Sequence, residues 1–178
     1  MVIFVKIDVV KVGYLRCNCY ILSMDDKVIV IDPGDEYDKI SPYFKGKVVL
    51  GVMLTHRHFD HIGALKNIVD DYKCDIYDYS SLEEKKYDID GFSFEVIRVP
   101  GHTLDCLCYY FKNDNIMFTG DFLFKGTVGR CDLPESDYEM MVKSINKIKK
   151  YSDNIIIYPG HGDSSNLGDE KKFNPYFK

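Results

Sequence analysis

Thr55-His56-Arg57-His58-Phe59-Asp60-His61 decides how this chain is read. It follows Val48-Val49-Leu50-Gly51-Val52-Met53-Leu54, a largely apolar run of the buried-strand type, and leads into Ile62-Gly63-Ala64-Leu65, which reads as a helix opening. The side chains between would project from a strand-to-helix turn. Three imidazoles and a carboxylate within six residues are a dense supply of nitrogen and oxygen donors, of the kind that suits zinc, iron or manganese better than calcium or magnesium.

The chain has five histidines. The two outside this stretch, His102 in Pro100-Gly101-His102-Thr103 and His161 in Pro159-Gly160-His161-Gly162, each follow an apolar run, Phe94 to Val99 and Ile155 to Tyr158. Every histidine therefore stands at the end of a predicted strand. One histidine so placed is ordinary in a core or on a surface. All of them sharing the position point to one metal site.

Composition narrows the class. At 178 residues and 46% hydrophobic, the chain is expected to form one domain, 1–178, with a core large enough to need no disulfides. A net charge of −5 argues against nucleic acid or an anionic membrane as partner. No stretch has the length and apolarity to cross a bilayer, and Met1 to Val9 reads as a strand with Ile3, Val5, Ile7 and Val9 on one face, not as a signal peptide. A cytoplasmic protein is expected, with its six cysteines reduced. Cys17/Cys19 and Cys106/Cys108 lie two apart in strand sequence, so each pair shares a sheet face as small apolar residues.

Strands are predicted for Cys19 to Met24 and Lys27 to Ile31 about an Asp25-Asp26 turn, for Cys74 to Tyr77, and for Leu107 to Phe111 and Ile116 to Thr119 about a second turn. Asp32-Pro33-Gly34 forces a sharp exit from its strand and leaves the Asp32 carboxylate there to support a metal ligand. A short helix over Glu36 to Phe44 is interrupted by Pro42, and helical spacing runs from the histidine stretch to about Tyr72. Ser80 to Lys86 reads as polar helix or loop, and Asp90-Gly91 as a turn. Ser136 to Glu139 has the form of a capping box before a helix carrying Met141, Ile145 and Ile148. Ile155 to Tyr158 is the last predicted strand. Two sheets packed face to face with helices outside accommodate this order.

His56-x-His58-x-Asp60-His61, then His102, Asp121 and His161, in that order, resembles the metallo-β-lactamase superfamily. Phe118 to Phe124, Gly129-Arg130-Cys131-Asp132-Leu133-Pro134 and Asn174-Pro175-Tyr176 look like the small glyoxalase II-like branch of hydroxyacylglutathione hydrolases. The resemblance implies an α+β fold, a four-layer αββα sandwich with metals at one edge. It implies two divalent ions, zinc with iron or manganese as alternatives: one held by His56, His58 and His102, the other by Asp60, His61 and His161, with Asp121 bridging. The implied reaction is hydrolysis of a small-molecule thioester by a metal-bridging hydroxide, with Asp60 orienting the nucleophile and Arg130 holding an anionic substrate group. The chain stops soon after Asn174-Pro175-Tyr176, so the C-terminal helical region with which larger relatives bind glutathione is not expected. Leu104-Asp105-Cys106 stands where relatives show Pro-Gly-Ser, and Cys131 where they show threonine. Alternative readings are a mononuclear iron persulfide dioxygenase using His56, His58, His102 and Asp121, a lactonase or phosphodiesterase, and a metal-binding module without catalysis.

Overall fold

A computed structural model describes residues 5–178, so Met1 to Phe4 of the first predicted strand lie outside the described residues. The first sheet contains β1 (Lys6–Val12), β2 (Cys17–Met24), β3 (Lys27–Ile31), β4 (Val48–Met53) and β5 (Asp75–Tyr77) in that spatial order. The second contains β6 (Lys86–Ile89), β7 (Phe92–Arg98), β8 (Leu107–Phe111), β9 (Ile116–Gly120), β12 (Ile156–Pro159) and β13 (Ser165–Asn166), side by side in that order. A small hairpin, β10 (Leu123–Phe124) with β11 (Thr127–Val128), leaves the end of β9. The helices are α1 (Tyr37–Ile40), α2 (Phe59–Ile62), α3 (Leu65–Tyr72), α4 (Tyr138–Ile148) and α5 (Leu167–Phe173).

Strand alternation builds the layers. In β2, Tyr20 and Leu22 join Ile29, Ile31 and Met53 against Phe94, Val96, Tyr109 and Phe118 of the other sheet. The alternate residues Cys17, Cys19 and Ile21 pack with Ala64 and Ile68 beneath α3. In β8, Leu107, Tyr109 and Phe111 face the sandwich interior, while Cys106 just before the strand, Cys108 and Tyr110 pack with Met141, Ile145 and Ile148 of α4. Both faces of each central strand are covered, which explains why these strands read as unbroken apolar runs. The result is the four-layer α+β sandwich. Its six cysteines are all unpaired. Among the described residues no helix is long and apolar enough to cross a membrane.

Several local expectations are corrected. The helix predicted from the histidine stretch to Tyr72 is two helices, broken at Gly63 and Ala64. Gly63 N donates to Gly34 O at 2.8 Å and Ala64 N to Pro33 O at 2.9 Å, so these donors serve the turn after β3 instead of continuing α2. A side chain on Gly34 would meet Asp60 O at 1.8 Å; only glycine lets the two segments approach. The capping box does not form. Asp137, one residue later, caps α4 by accepting from Met140 N at 2.9 Å, and Ser136 Oγ instead donates to His102 O at 2.7 Å. On β1, Val9 is 45% exposed whereas Val10 and Val12 on the opposite face are buried; of that predicted face, among the described residues, Val5 and Ile7 reach the inter-sheet core. The last predicted strand begins at Ile156, not Ile155, and Cys74 lies outside β5.

Four features carry no sequence expectation: β6, the β10–β11 hairpin, β13 and α5. The short α5 is mostly polar on its surface and is anchored by tertiary contacts. Its buried Glu170 accepts from Gly126 N, Ser165 Oγ and Asn174 Nδ2, and Asn166 caps its start by accepting from Gly168 N. The Asn174 amide also donates to Thr127 O, so Asn174-Pro175-Tyr176 ties the chain end to the small hairpin.

Candidate metal centre

Topology brings the functional side chains together. β7 and β9 are each antiparallel to β8, and β12 is parallel to β9, so β7, β9 and β12 run in one direction and end on one edge. They deliver His102, Asp121 and His161 there. In the first sheet β3 and β4 are parallel and deliver Asp32 and the segment from Thr55 to His61. The two edges are joined by backbone hydrogen bonds from Leu107 N to Thr55 O at 2.8 Å and from Asn18 N to Gly160 O at 2.7 Å. Tyr20 and Tyr109 add buried hydroxyl donors to Pro159 O and Leu54 O, at 2.5 and 2.6 Å.

Seven side chains named from sequence converge. Donor atoms of His56, His58 and His102 lie within 4.8 Å of one another, as do those of His56, His61 and Asp121, and those of Asp60, His61 and His161. Asp121 Oδ2 lies 3.7 Å from His102 Nε2 and 3.6 Å from His161 Nε2. Asp60 Oδ2 lies 3.1 Å from His161 Nε2 and 3.8 Å from His61 Nε2. Asp121 thus stands between two groups of imidazoles.

Each ring has an oxygen on one nitrogen, which leaves the other facing its neighbours. His102 Nδ1 donates to Arg130 O at 2.9 Å, and His161 Nδ1 to Leu15 O at 3.0 Å. His61 Nδ1 donates to Asp32 Oδ2 at 3.0 Å, and His58 Nε2 to Glu135 Oε1 at 2.9 Å. The Thr55 hydroxyl donates to Asp32 Oδ2 at 2.6 Å, so its lone pair receives His56 Nδ1 at 3.2 Å. These acceptors set the tautomers. The inward nitrogens are Nδ1 of His58 and Nε2 of the other four.

Three buried atoms at the centre, His56 Nε2, His61 Nε2 and Asp121 Oδ1, have no hydrogen-bond partner, although His61 Nε2 and Asp121 Oδ1 are 3.3 Å apart. Buried polar atoms are rarely left unmatched, and this cluster of lone-pair donors aimed inward fits a cation. Burial, reinforced by neighbouring imidazoles, pushes the His56 pKa well below the ordinary value, and burial lowers His102 as well. Burial opposes ionisation of Asp121 and Asp60 but is outweighed by the imidazoles, chiefly His61 for the first and His161 for the second, which hold both carboxyls below the usual range. His61 is raised well above its ordinary value: burial works against the charge, but the Asp32 and Asp121 carboxylates win. His161 is raised too, burial being outweighed by the Asp60 hydrogen bond and the Asp121 charge; these two rings exchange a proton for a metal on ligation, whereas the lowered His56 and His102 and the ionised carboxylates already match what ligation requires.

The centre forms the floor of a cleft of about 510 Å³ lined also by Leu15, Phe59, Arg130, Leu133 and Glu135. Arg130 is exposed, and its guanidinium makes a two-point pair with Asp132 at 2.6 and 2.8 Å. Asp32 accepts from Thr55 N at 2.8 Å as well as from the Thr55 hydroxyl and His61, the supporting position expected for it. Cys131 is only partly buried, with its thiol directed to Gly129 O. Sequence reasoning missed Glu135, Thr55 and the Leu15 carbonyl. No local signal marks a backbone carbonyl 146 residues from the histidine it orients.

Comparison with known proteins agrees with this geometry. The profile of the Metallo-beta-lactamase superfamily matches residues 12–85 and 77–161. Hydroxyacylglutathione hydrolase GloC of Haemophilus influenzae is 31% identical, with 96% of this chain and 97% of that protein covered. Among solved structures, the BLEG-1 B3 metallo-beta-lactamase superposes with a TM-score of 0.92 at 28% identity, covering 97% of this chain and 99% of that one. The protein TTHA1623, solved in a di-iron-bound form, gives a TM-score of 0.87 at 30% identity over 95% of this chain and 99% of its own. The chain therefore belongs to the metallo-beta-lactamase superfamily of metal-dependent hydrolases.

Proposed function

We propose that the protein is a binuclear metal hydrolase that cleaves a small-molecule thioester, a reaction of the glyoxalase II type. The observation that carries this reading is the inward set of five imidazole nitrogens around two ionised carboxylates, with the outward nitrogens already bound. In it, His56, His58 and His102 would hold one divalent ion and Asp60, His61 and His161 a second, with Asp121 standing between the two groups. Zinc suits this donor set, and iron or manganese are accepted by the same ligand types; the di-iron form of a similar protein supports that breadth. The hydroxyacylglutathione hydrolase among the relatives supports a thioester substrate. All of 1–178 works as one domain in this reading, and its six free cysteines favour the cytoplasm.

Divalent ions at such a site supply Lewis acidity toward a carbonyl oxygen and bring the pKa of water toward neutrality. The residues around them do the rest. Asp60 faces the cleft, where its carboxylate accepts a hydrogen bond from the attacking water and orients it toward the carbonyl carbon. The cleft walls hold the thioester against the floor, which makes the attack effectively unimolecular. A thiolate leaves readily, so no general acid is required at the far side. Arg130 contributes its carbonyl, which orients His102. In this reading its guanidinium, paired with Asp132 beside the cleft, holds the loop.

Elemental analysis of purified protein, paired on the same sample with hydrolysis of S-lactoylglutathione and of a short uncharged thioester, tests the proposal. Two metals per chain with turnover of either thioester is the expected result. One iron per chain, oxygen uptake with a persulfide and no thioester turnover would overturn it.

A further inference from the structure

The β10–β11 hairpin lies in the chain between two parts of the metal centre. Asp121 comes shortly before it, and Gly129-Arg130 directly after it, where the Arg130 carbonyl orients His102. The base of the hairpin is tight: Gly129 N donates to Phe122 O at 3.1 Å, and a side chain on Gly129 would meet Asp121 O at 1.9 Å and His102 Cβ at 3.0 Å. The ribbon itself consists of two residue pairs, Leu123 with Val128 and Phe124 with Thr127, and a two-stranded ribbon is marginal on its own in water. Its position has to be set from outside.

The end of the chain sets it. Glu170 Oε2 accepts from Gly126 N at 2.8 Å, and the Asn174 amide donates to Thr127 O at 3.1 Å and to Glu170 Oε2 at 2.8 Å, so the turn of the hairpin is held by two side chains 44 and 47 positions away. Glu170 and Asn174 are both buried. Beside them, Leu167 and Phe177 pack in the same apolar cluster as Leu123 and Val128. That apolar contact alone would keep the chain end against the hairpin; the hydrogen bonds add direction, because they hold only over a narrow range of distance and angle. Asn174-Pro175-Tyr176 contributes no metal donor, but Asn174 Oδ1 accepts from Tyr176 N at 3.1 Å, which keeps the amide donors turned toward Thr127 and Glu170. We propose that Glu170 and Asn174 are positioning residues of the metal centre: through Gly126 and Thr127 they set the hairpin, and through the hairpin they set the Arg130 carbonyl and with it the ring of His102.

The test reads the His102 ring directly and compares it with His61, whose Nδ1 donates to Asp32 in the other half of the sandwich. Proton exchange at the two Nδ1–H groups is followed by 1H–15N NMR in the zinc-loaded, full-length protein. In Asn174→Ala and in Glu170→Leu, exchange at His102 should quicken about fivefold or more, the change expected when a hydrogen bond of ordinary strength no longer opposes local opening. Exchange at His61 should stay as in the parent protein. Glu170→Gln keeps an acceptor for Gly126 N and Asn174 Nδ2 and offers an amide to Ser165 Oγ, so it should match the parent at both rings. Glu170→Leu is expected to fold, because Gly126 is exposed and Ser165 partly so, and their freed donors reach water. Equal acceleration at both rings, which a merely structural role would give, or parental exchange at His102 in both Asn174→Ala and Glu170→Leu, would overturn the proposal. No substrate enters the measurement, so a parent protein that turns over no thioester sinks the hydrolase reading and leaves this result standing.

Discussion

Glu135 accepts a hydrogen bond from the outward nitrogen of His58, with Oε1 2.9 Å from Nε2. The contact crosses 77 positions of sequence and leaves Nδ1 of His58 facing Nε2 of His102 at 3.0 Å. A carboxylate on the far side of a ligating imidazole fixes the ring and makes it a stronger donor, and removal of such a partner costs about 10–100-fold in metal affinity. Glu135→Ala should therefore weaken binding of the ion on the His56, His58 and His102 side. The exposed setting of Glu135 places the loss near the lower end of that range. Competition with a chromogenic chelator measures it, and an affinity equal to that of the parent protein would remove Glu135 from the site.

Asp32 is a harsher case because it is buried and accepts from three donors. Asp32→Ala strands Thr55 N, the Thr55 hydroxyl and His61 Nδ1 without an acceptor, and breaking a buried pair of this kind costs about 3–5 kcal/mol. The residue has φ +49°, so alanine adds strain in the left-handed region. Asp32→Asn tolerates that backbone and keeps one acceptor oxygen, so it should lose less. Urea unfolding in the presence of a chelator reads both variants. A loss under about 1 kcal/mol for Asp32→Ala, set against that range, would contradict the role given to it.

Gly160 tests the geometry of the centre from the backbone side. A methyl group there would stand 2.2 Å from Asp121 Oδ1 and 2.7 Å from His61 Cε1. Gly160→Ala must displace one of them, and misplacement by about 1 Å costs on the order of 100-fold in rate. The expected result is a fall of that size in kcat/KM with circular dichroism unchanged. Parental activity would show that Asp121 and His61 need not hold their present positions.

The thiols give a pH-dependent readout of burial. Burial, with smaller contributions from Asp132 and Asp137, raises the Cys131 pKa above its ordinary value, and burial takes Cys17 up to about 11 and Cys106 up to about 12. A raised thiol pKa means less thiolate at any given pH, and the thiolate is the reactive form. Alkylation of the native protein by iodoacetamide at pH 7.5 should be slower than that of free cysteine. Reaction should begin at the partly buried Cys74 and Cys131 and accelerate with pH as the thiolate fraction grows. Mass spectrometry of the digested protein locates the label; rapid modification of Cys17 at neutral pH would refute the burial argument.

Metal loading should stabilise the fold, since the ions bind side chains that meet only in the native state. At a free concentration 1,000 times the dissociation constant the gain is about 4 kcal/mol for one site. Differential scanning calorimetry with zinc and after chelation measures it. An unchanged midpoint would argue that no ion is held at this centre.

Much of this was legible in the chain. The donor set from His56 to His161 announced itself because ligands need particular atoms, and those residue types are uncommon enough for their placement after apolar runs to be informative. The strands of the sandwich announced themselves through apolar runs bounded by turn residues such as Asp25-Asp26 and Asp90-Gly91, where φ is positive at Asp25, Asp90 and Gly91. Such signals are local. The break at Gly63, the failed capping box at Ser136 and helix α5 were missed because long-range partners decided each one: Gly34 and Pro33 in the first, His102 in the second, Gly126 in the third.

By itself, then, the sequence determined which atoms are available to a metal and which segments become strands, since both follow from side-chain chemistry and short-range periodicity. Tertiary structure alone decided that the strands before His102, Asp121 and His161 run in one direction and end at one edge. It also decided which nitrogen of each ring faces inward, through acceptors as distant in sequence as Leu15 is from His161, and it set an apolar turn against the cleft. Each of these depends on contacts between segments far apart in the chain, whose energies no local pattern encodes.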